Sequence, residues 1–120
     1  MPSLRLALAQ LNVTVGDLPG NRRRIADALQ RAKAWLADVV VVPELAVTGY
    51  PPEDLLLKPQ FIEDNLTTLR SLAGASRGLM AVVGFVDRDR HGALSNAAAV
   101  LADQCRPSTR SRWRDRRARW

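Results

Sequence analysis

Strand-like and helix-like stretches alternate along this 120-residue chain, which predicts the α/β class. Three observations carry that prediction. Val39, Val40, Val41 and Val42 form an unbroken β-branched run, the pattern of a strand buried on both faces. Ile25, Ala28, Leu29, Ala32 and Leu36 fall on one face of a helix, and Ile62, Leu66, Leu69 and Ala73 do so again. Further apolar stretches at 4–10, 79–86 and 95–101 have strand length. The predicted order is strand, helix, strand, helix, strand, strand, without internal repeats. Its first three elements make a βαβ unit, for which a right-handed crossover is expected.

Residues 4–10 alternate Leu4, Leu6 and Leu8 with Arg5, Ala7 and Ala9, the period of a strand close to the core. Residues 12–20 read as a loop, because Gly16-Asp17 and Pro19-Gly20 are turn pairs. Asn21 is the expected N-cap of the first helix. The triplet Arg22, Arg23 and Arg24 reads as a solvated helix face; as cations near a helix N-terminus they slightly oppose the dipole. The strand at 38–42 ends at Pro43, which has no N–H to give to a ladder. A turn-rich loop at 49–52 follows, in which Tyr50 either lines a pocket or, the preferred reading, packs its ring against the loop. Glu53 and Asp54 then open a short helix with acids in its first turn. The second long helix covers about 61–75 and stops in Gly74, Ser76 and Gly78. After the strand at 79–86, residues 87–92 form a charged hairpin turn, and His91 within it is expected at the surface. Ala97, Ala98 and Ala99 suit a strand that a neighbouring layer approaches closely.

Glu44 is the candidate catalytic residue. A carboxylate at the mouth of a buried strand sits where open α/β sheets place their chemistry. Partial desolvation there is expected to make it a better general base. No metal-ligand pattern accompanies it, and no glycine-rich phosphate motif occurs in the chain.

The formal charge of +6 is concentrated at one end. Seven of the 18 Lys+Arg but only Asp115 of the 12 Asp+Glu lie in 104–120, so 1–103 carries 11 of each sign and is neutral. Trp113, Trp120 and the single cysteine, Cys105, lie in that Arg-rich stretch as well. Three readings compete for it. It is a basic arm for nucleic acid, a solvated disordered end, or a segment out of frame with the fold. The third is preferred, because the strand patterning ends near Asp103 and no apolar period follows. Nucleic acid is therefore not the expected partner. No window approaches the ~18 apolar residues of a membrane span. No secretory signal is seen, and with one cysteine this suggests the cytoplasm.

The words around Glu44 carry more than their position does. Pro43-Glu44-Leu45-Ala46-Val47-Thr48-Gly49-Tyr50 resembles the first catalytic motif of the carbon–nitrogen hydrolase (nitrilase) superfamily. Its continuation Pro51-Pro52-Glu53-Asp54-Leu55-Leu56-Leu57 is similar to the glutaminase domains of bacterial glutamine-dependent NAD synthetases. Leu6-Ala7-Leu8-Ala9-Gln10-Leu11-Asn12, then Val15-Gly16-Asp17-Leu18 and Gly20-Asn21, and later Asn96-Ala97-Ala98-Ala99-Val100-Leu101, agree with the same branch. The resemblance runs over about 4–103.

It implies a four-layer α–β–β–α sandwich, of which this chain would hold roughly the first part. It implies hydrolysis of glutamine by a Cys, Glu and Lys. It also implies a separate synthetase domain that uses ATP and magnesium to amidate nicotinic acid adenine dinucleotide, and a homo-oligomer in the full-length family. Only the Glu carries over, onto Glu44 as general base; Tyr50 is a weaker candidate for binding substrate. Lys33 and Lys58 do not match the family lysine, and Cys105 does not match the nucleophile. The chain by itself is therefore expected to be inactive, to need no cofactor of its own, and to expose an open sheet edge and an apolar face. A stand-alone amidase of the same superfamily is the alternative.

Overall fold

The computed structural model describes residues 2–102 and the backbone of 112–114. In chain order the elements are β1 (Leu6–Leu8), α1 (Leu18–Ala34), β2 (Val39–Val41), a 3-10 turn (Glu53–Leu57), α2 (Pro59–Ser71), a second 3-10 turn (Ala73–Ser76), β3 (Met80–Arg88), β4 (Leu94–Ala102) and β5 (Arg112–Arg114). The strands form one mixed sheet in the order β1-β2-β3-β4-β5. β1, β2 and β3 are parallel neighbours, joined by α1 and by the segment that carries α2. β4 and β5 add antiparallel. The predicted α/β order holds through β4. The expectations for 104–120 fall outside the described residues, apart from the backbone of β5, which pairs with β4 over Ala97–Ala99.

α1 begins at Leu18, before the predicted cap. Asp17 is the N-cap, and its carboxylate accepts from the Gly20 amide at 3.0 Å. Asn21 lies inside the helix, fully buried. Its side chain accepts from the Thr14 amide at 2.8 Å and donates to the carbonyls of Thr14 at 2.8 Å and Val47 at 3.0 Å. Sequence pattern alone makes Asn a cap; here it is a staple between two loops. At the other end Leu36 turns to a positive φ of 59° and stands 72% exposed. It therefore leaves the apolar face assigned to it. On α2 the face is Ile62, Leu66 and Leu69, continued by Leu72 rather than by the exposed Ala73.

Strand register separates the two faces of the sheet. Ala7, Val40, Ala81, Val83, Phe85, Ala97 and Ala99 share one face. Val40, Ala81 and Val83 on it are fully buried in one core with Ile25, Leu29 and Ala32 of α1 and Ile62 and Leu66 of α2. At about 1.5–3 kcal/mol per large apolar side chain, this face dominates the folding energy. The opposite face carries the rows Leu6-Val39-Met80-Ala102 and Leu8-Val41-Val82-Val100. Leu8 on it is 71% exposed, and Val39, Val41 and Val82 are half-buried. Two expectations change here. The valine run is covered fully on one face only, and the leucines of β1 point away from the core they were predicted to approach. β1 is the last strand at its end of the sheet, so its outer side has no strand neighbour among the described residues.

Candidate active site

Glu44 sits in a loop that is fixed by its backbone. β2 continues past Val41 as the Val42 amide donates to the Val82 carbonyl at 3.1 Å. Pro43 then turns the chain across β3. The Ala46 amide donates to the Pro43 carbonyl at 3.2 Å, and the Gly49 amide to the Leu45 carbonyl at 2.8 Å. The Val47 amide donates to the Gly84 carbonyl at 3.2 Å, and Gly16 to the Thr48 carbonyl at 2.9 Å. The Thr48 hydroxyl is buried between the Leu45 and Gly49 carbonyls. Leu45, Ala46 and Val47 are themselves fully buried, with Leu45 at a φ of 50°.

Gly84 is what allows this. A Cβ there would lie 2.5 Å from the Leu45 nitrogen, 2.7 Å from the Pro43 oxygen and 3.0 Å from the Glu44 carbonyl carbon, all of them backbone atoms. By strand alternation that Cβ position belongs to the face opposite Val83 and Phe85. The loop therefore crosses the sheet on the face the helices do not cover, and it carries Glu44 there.

The Glu44 side chain is exposed. The expected desolvation is thus not found: the loop buries the residues after Glu44 and leaves its carboxylate beside the open face. Its Oε1 accepts a hydrogen bond from Asn96 Nδ2. Asn96 stands opposite Val86 in the β3–β4 register, which places it on the same open face.

The other sequence candidates are dispersed. Tyr50 is 59% exposed, beside a cis Tyr50–Pro51 peptide. Lys33 lies in the last turn of α1 and Lys58 caps α2; neither bonds to Glu44. Cys105 lies outside the described residues. Glu53 and Asp54 open the first 3-10 turn, exposed, as the pattern suggested. His91 is exposed in the β3–β4 turn, where its amide donates to Asp89. Arg22 of the arginine triplet is engaged with α2: its Nε donates to the Ser71 hydroxyl at 2.7 Å. Among the described residues no three His, Cys, Asp or Glu come together as a metal site. A cleft of about 680 Å³ lies elsewhere, between β1 and α1, with Ala7, Ala9, Ala28 and Ala32 in its walls and Arg24 and Trp35 beside them.

Residues 5–117 match the carbon–nitrogen hydrolase family. The chain belongs to that family. The match continues past the break in charge pattern near Asp103. Among curated relatives, the glutamine-dependent NAD(+) synthetase of Thermotoga maritima is 43% identical over 105 residues, 86% of this chain and 18% of the relative. That of Xanthomonas campestris is 42% identical over 102 residues, again 18% of its length. The chain thus spans about a fifth of these relatives. In structure it is similar to the glutamine-dependent NAD+ synthetase of Acinetobacter baumannii, with a TM-score of 0.79 and 34% identity over 83% of this chain and 19% of that one. It is also similar to an amidase from Nesterenkonia sp., with a TM-score of 0.73 and 25% identity over 81% of this chain and 37% of that one. The sheet with helices on one face is therefore a nitrilase-like α/β arrangement, and the described residues supply one helix layer and one sheet of it.

Sequence pattern singles out Glu44 as a candidate. It passes over two residues that touch the Glu44 loop and its carboxylate. Gly84 carried a signal, since an isolated glycine inside an apolar strand marks close approach of another backbone. Asn96 carried a weaker one: a polar side chain directly before the apolar run Ala97–Leu101 of β4.

Proposed function

We propose that this chain is the region of a glutamine-dependent NAD synthetase that contributes the general base of its glutaminase site, with Glu44 as that base. The observation that carries the reading is the loop over Gly84, which presents Glu44 beside Asn96 within a segment similar to those synthetases. In this reading Glu44 takes the proton of a thiol nucleophile and later that of the water that releases glutamate. Tyr50, next to it in the loop, is the proposed substrate contact. The thiol and the cation that steadies the tetrahedral anion are supplied by residues other than Lys33, Lys58 and Cys105, none of which matches the family's positions.

The ammonia released serves the ATP- and magnesium-dependent amidation of nicotinic acid adenine dinucleotide by a synthetase domain. Magnesium and ATP belong to that domain, and no cofactor is assigned to this chain. The setting is cytoplasmic and the assembly homo-oligomeric; no helix of the described residues is long and apolar enough to cross a membrane. Residues 1–103 are the hydrolase part, and 104–120 are set apart as the Arg/Trp-rich stretch whose reading frame resequencing from the codon for Ala99 onward would test. Similarity to the Nesterenkonia amidase keeps a stand-alone amidase as the second reading.

The test is a chimera in which residues 4–103 replace their counterpart in the Thermotoga maritima relative. Glutamine-dependent NAD formation is expected, and Glu44→Gln should abolish it while ammonia-dependent synthesis persists. A chimera with ammonia-dependent but no glutamine-dependent synthesis would overturn the assignment. The 120-residue chain alone should release no ammonia from glutamine. Release above blank that Glu44→Gln removes would refute that second expectation.

A further inference from the structure

We infer that Asn96 is a positioning residue for Glu44: its side-chain amide holds carboxylate Oε1 and so reserves Oε2 as the atom that takes the proton. The inference rests on the reading of Glu44 as the base and adds a division of labour between its two oxygens. Three features of the fold support it. The backbone of the Glu44 loop is pinned at Val42, Val47 and Thr48, so what remains free at this residue is its side chain. A glutamate on a fixed backbone still has three rotatable bonds, and in water it samples several staggered states. Asn96 Nδ2 makes the one hydrogen bond to that side chain among the described residues, and Oε2 has no partner among them.

The register makes this contact specific. Asn96 faces the loop only because it pairs with Val86; a slip of one residue would turn it to the helix face. The chemistry of the donor matters as well. A Lys or Arg in this position would hold the carboxylate but neutralise it, which weakens a base. A neutral amide fixes direction while adding no charge. Asn96 lies within the Asn96–Leu101 stretch of β4, whose remaining residues are all apolar, so the donor is placed by the strand rather than by a mobile loop.

The test uses nuclear magnetic resonance on the full 120-residue chain and does not depend on turnover. In the unmutated protein the Asn96 Nδ2 protons should shift together with the Glu44 carboxyl carbon as that carboxylate is titrated. Those of Asn21, bound to backbone carbonyls, should stay in place. In Asn96→Leu, which keeps the bulk and removes the donor, the Glu44 side-chain couplings should change from those of one rotamer to averaged values. An Asn96 amide that ignores the charge of Glu44, or a Glu44 that keeps one rotamer in Asn96→Leu, overturns the proposal. If Asn96→Leu does not fold, the titration of the unmutated chain decides alone. A positive result here with an inactive chimera would refute the catalytic reading of Glu44 and leave its contact with Asn96 standing, so the two failures are distinguishable.

Discussion

Gly84→Ala is the substitution that most directly tests how the Glu44 loop is held. The added methyl would stand 2.5 Å from the Leu45 nitrogen and 2.7 Å from the Pro43 oxygen. Neither neighbour is a side chain that can swing away, so either β3 or the loop must move. Gly84 is not among the glycines at positive φ, so the backbone itself accepts alanine and the cost is one of space alone. Moving the loop stretches the hydrogen bonds from Val42 to Val82 and from Val47 to Gly84, each worth about 1 kcal/mol net. Overpacking a filled site adds roughly 1–3 kcal/mol. The expected loss is therefore about 3–5 kcal/mol, or a fall in Tm of about 12–20 °C. Thermal and urea unfolding followed by circular dichroism measure it. Gly74→Ala is the control, because nothing lies within 4 Å of a Cβ there; it should be neutral or slightly stabilising. If Gly84→Ala stays within about 0.5 kcal/mol of the parent, the close-approach argument is wrong.

The remaining expectations are smaller in scope. Asn21→Leu leaves the Thr14 amide, the Thr14 carbonyl and the Val47 carbonyl without their side-chain partner, and urea unfolding should show a loss of about 2–4 kcal/mol. Leu8→Lys, on the open face, should change stability by less than about 0.5 kcal/mol and raise the monomer fraction in sedimentation velocity at equal concentration. An unchanged distribution would remove that face from any self-association. Arg22→Ala breaks the exposed link to Ser71 and should cost no more than about 1 kcal/mol, with α1 and α2 still packed through their apolar faces.

What was legible in the sequence follows from which features are local. The helices and strands announced themselves because their apolar periods are properties of neighbouring residues. Pro43 stopped β2 for a reason contained in its own ring. The errors came where a distant element decides. Asn21 has the chemistry of a cap, and only the fold brings Thr14 and Val47 to it. Leu36 continues the helical period, yet the chain has already left the helix to let the Ala37 amide reach the Ala32 carbonyl. Leu6 and Leu8 alternate like core residues, but which face of β1 meets the helices is set by its register with Val39 and Val41. The valine run likewise looked the same whether one face was covered or two.

The site divides along the same line. Glu44 could be proposed from sequence because its motif is contiguous and because the end of a buried strand is a defined place in an α/β sheet. Its support could not, because it comes from two strands about 40 and 50 residues further on. One of those residues acts by having no side chain, and the other by a single donor in a run of alanines. Such residues contribute little to composition or periodicity. Their contact with Glu44 is nonetheless direct, since one leaves room for its backbone and the other donates to its carboxylate. Combining Gly84→Ala with Asn96→Leu shows whether these are separate controls. If they are, the stability loss belongs to Gly84 alone, and adding Asn96→Leu changes it by less than about 0.5 kcal/mol. A coupling of more than about 1 kcal/mol would mean that loop and carboxylate are held as one unit.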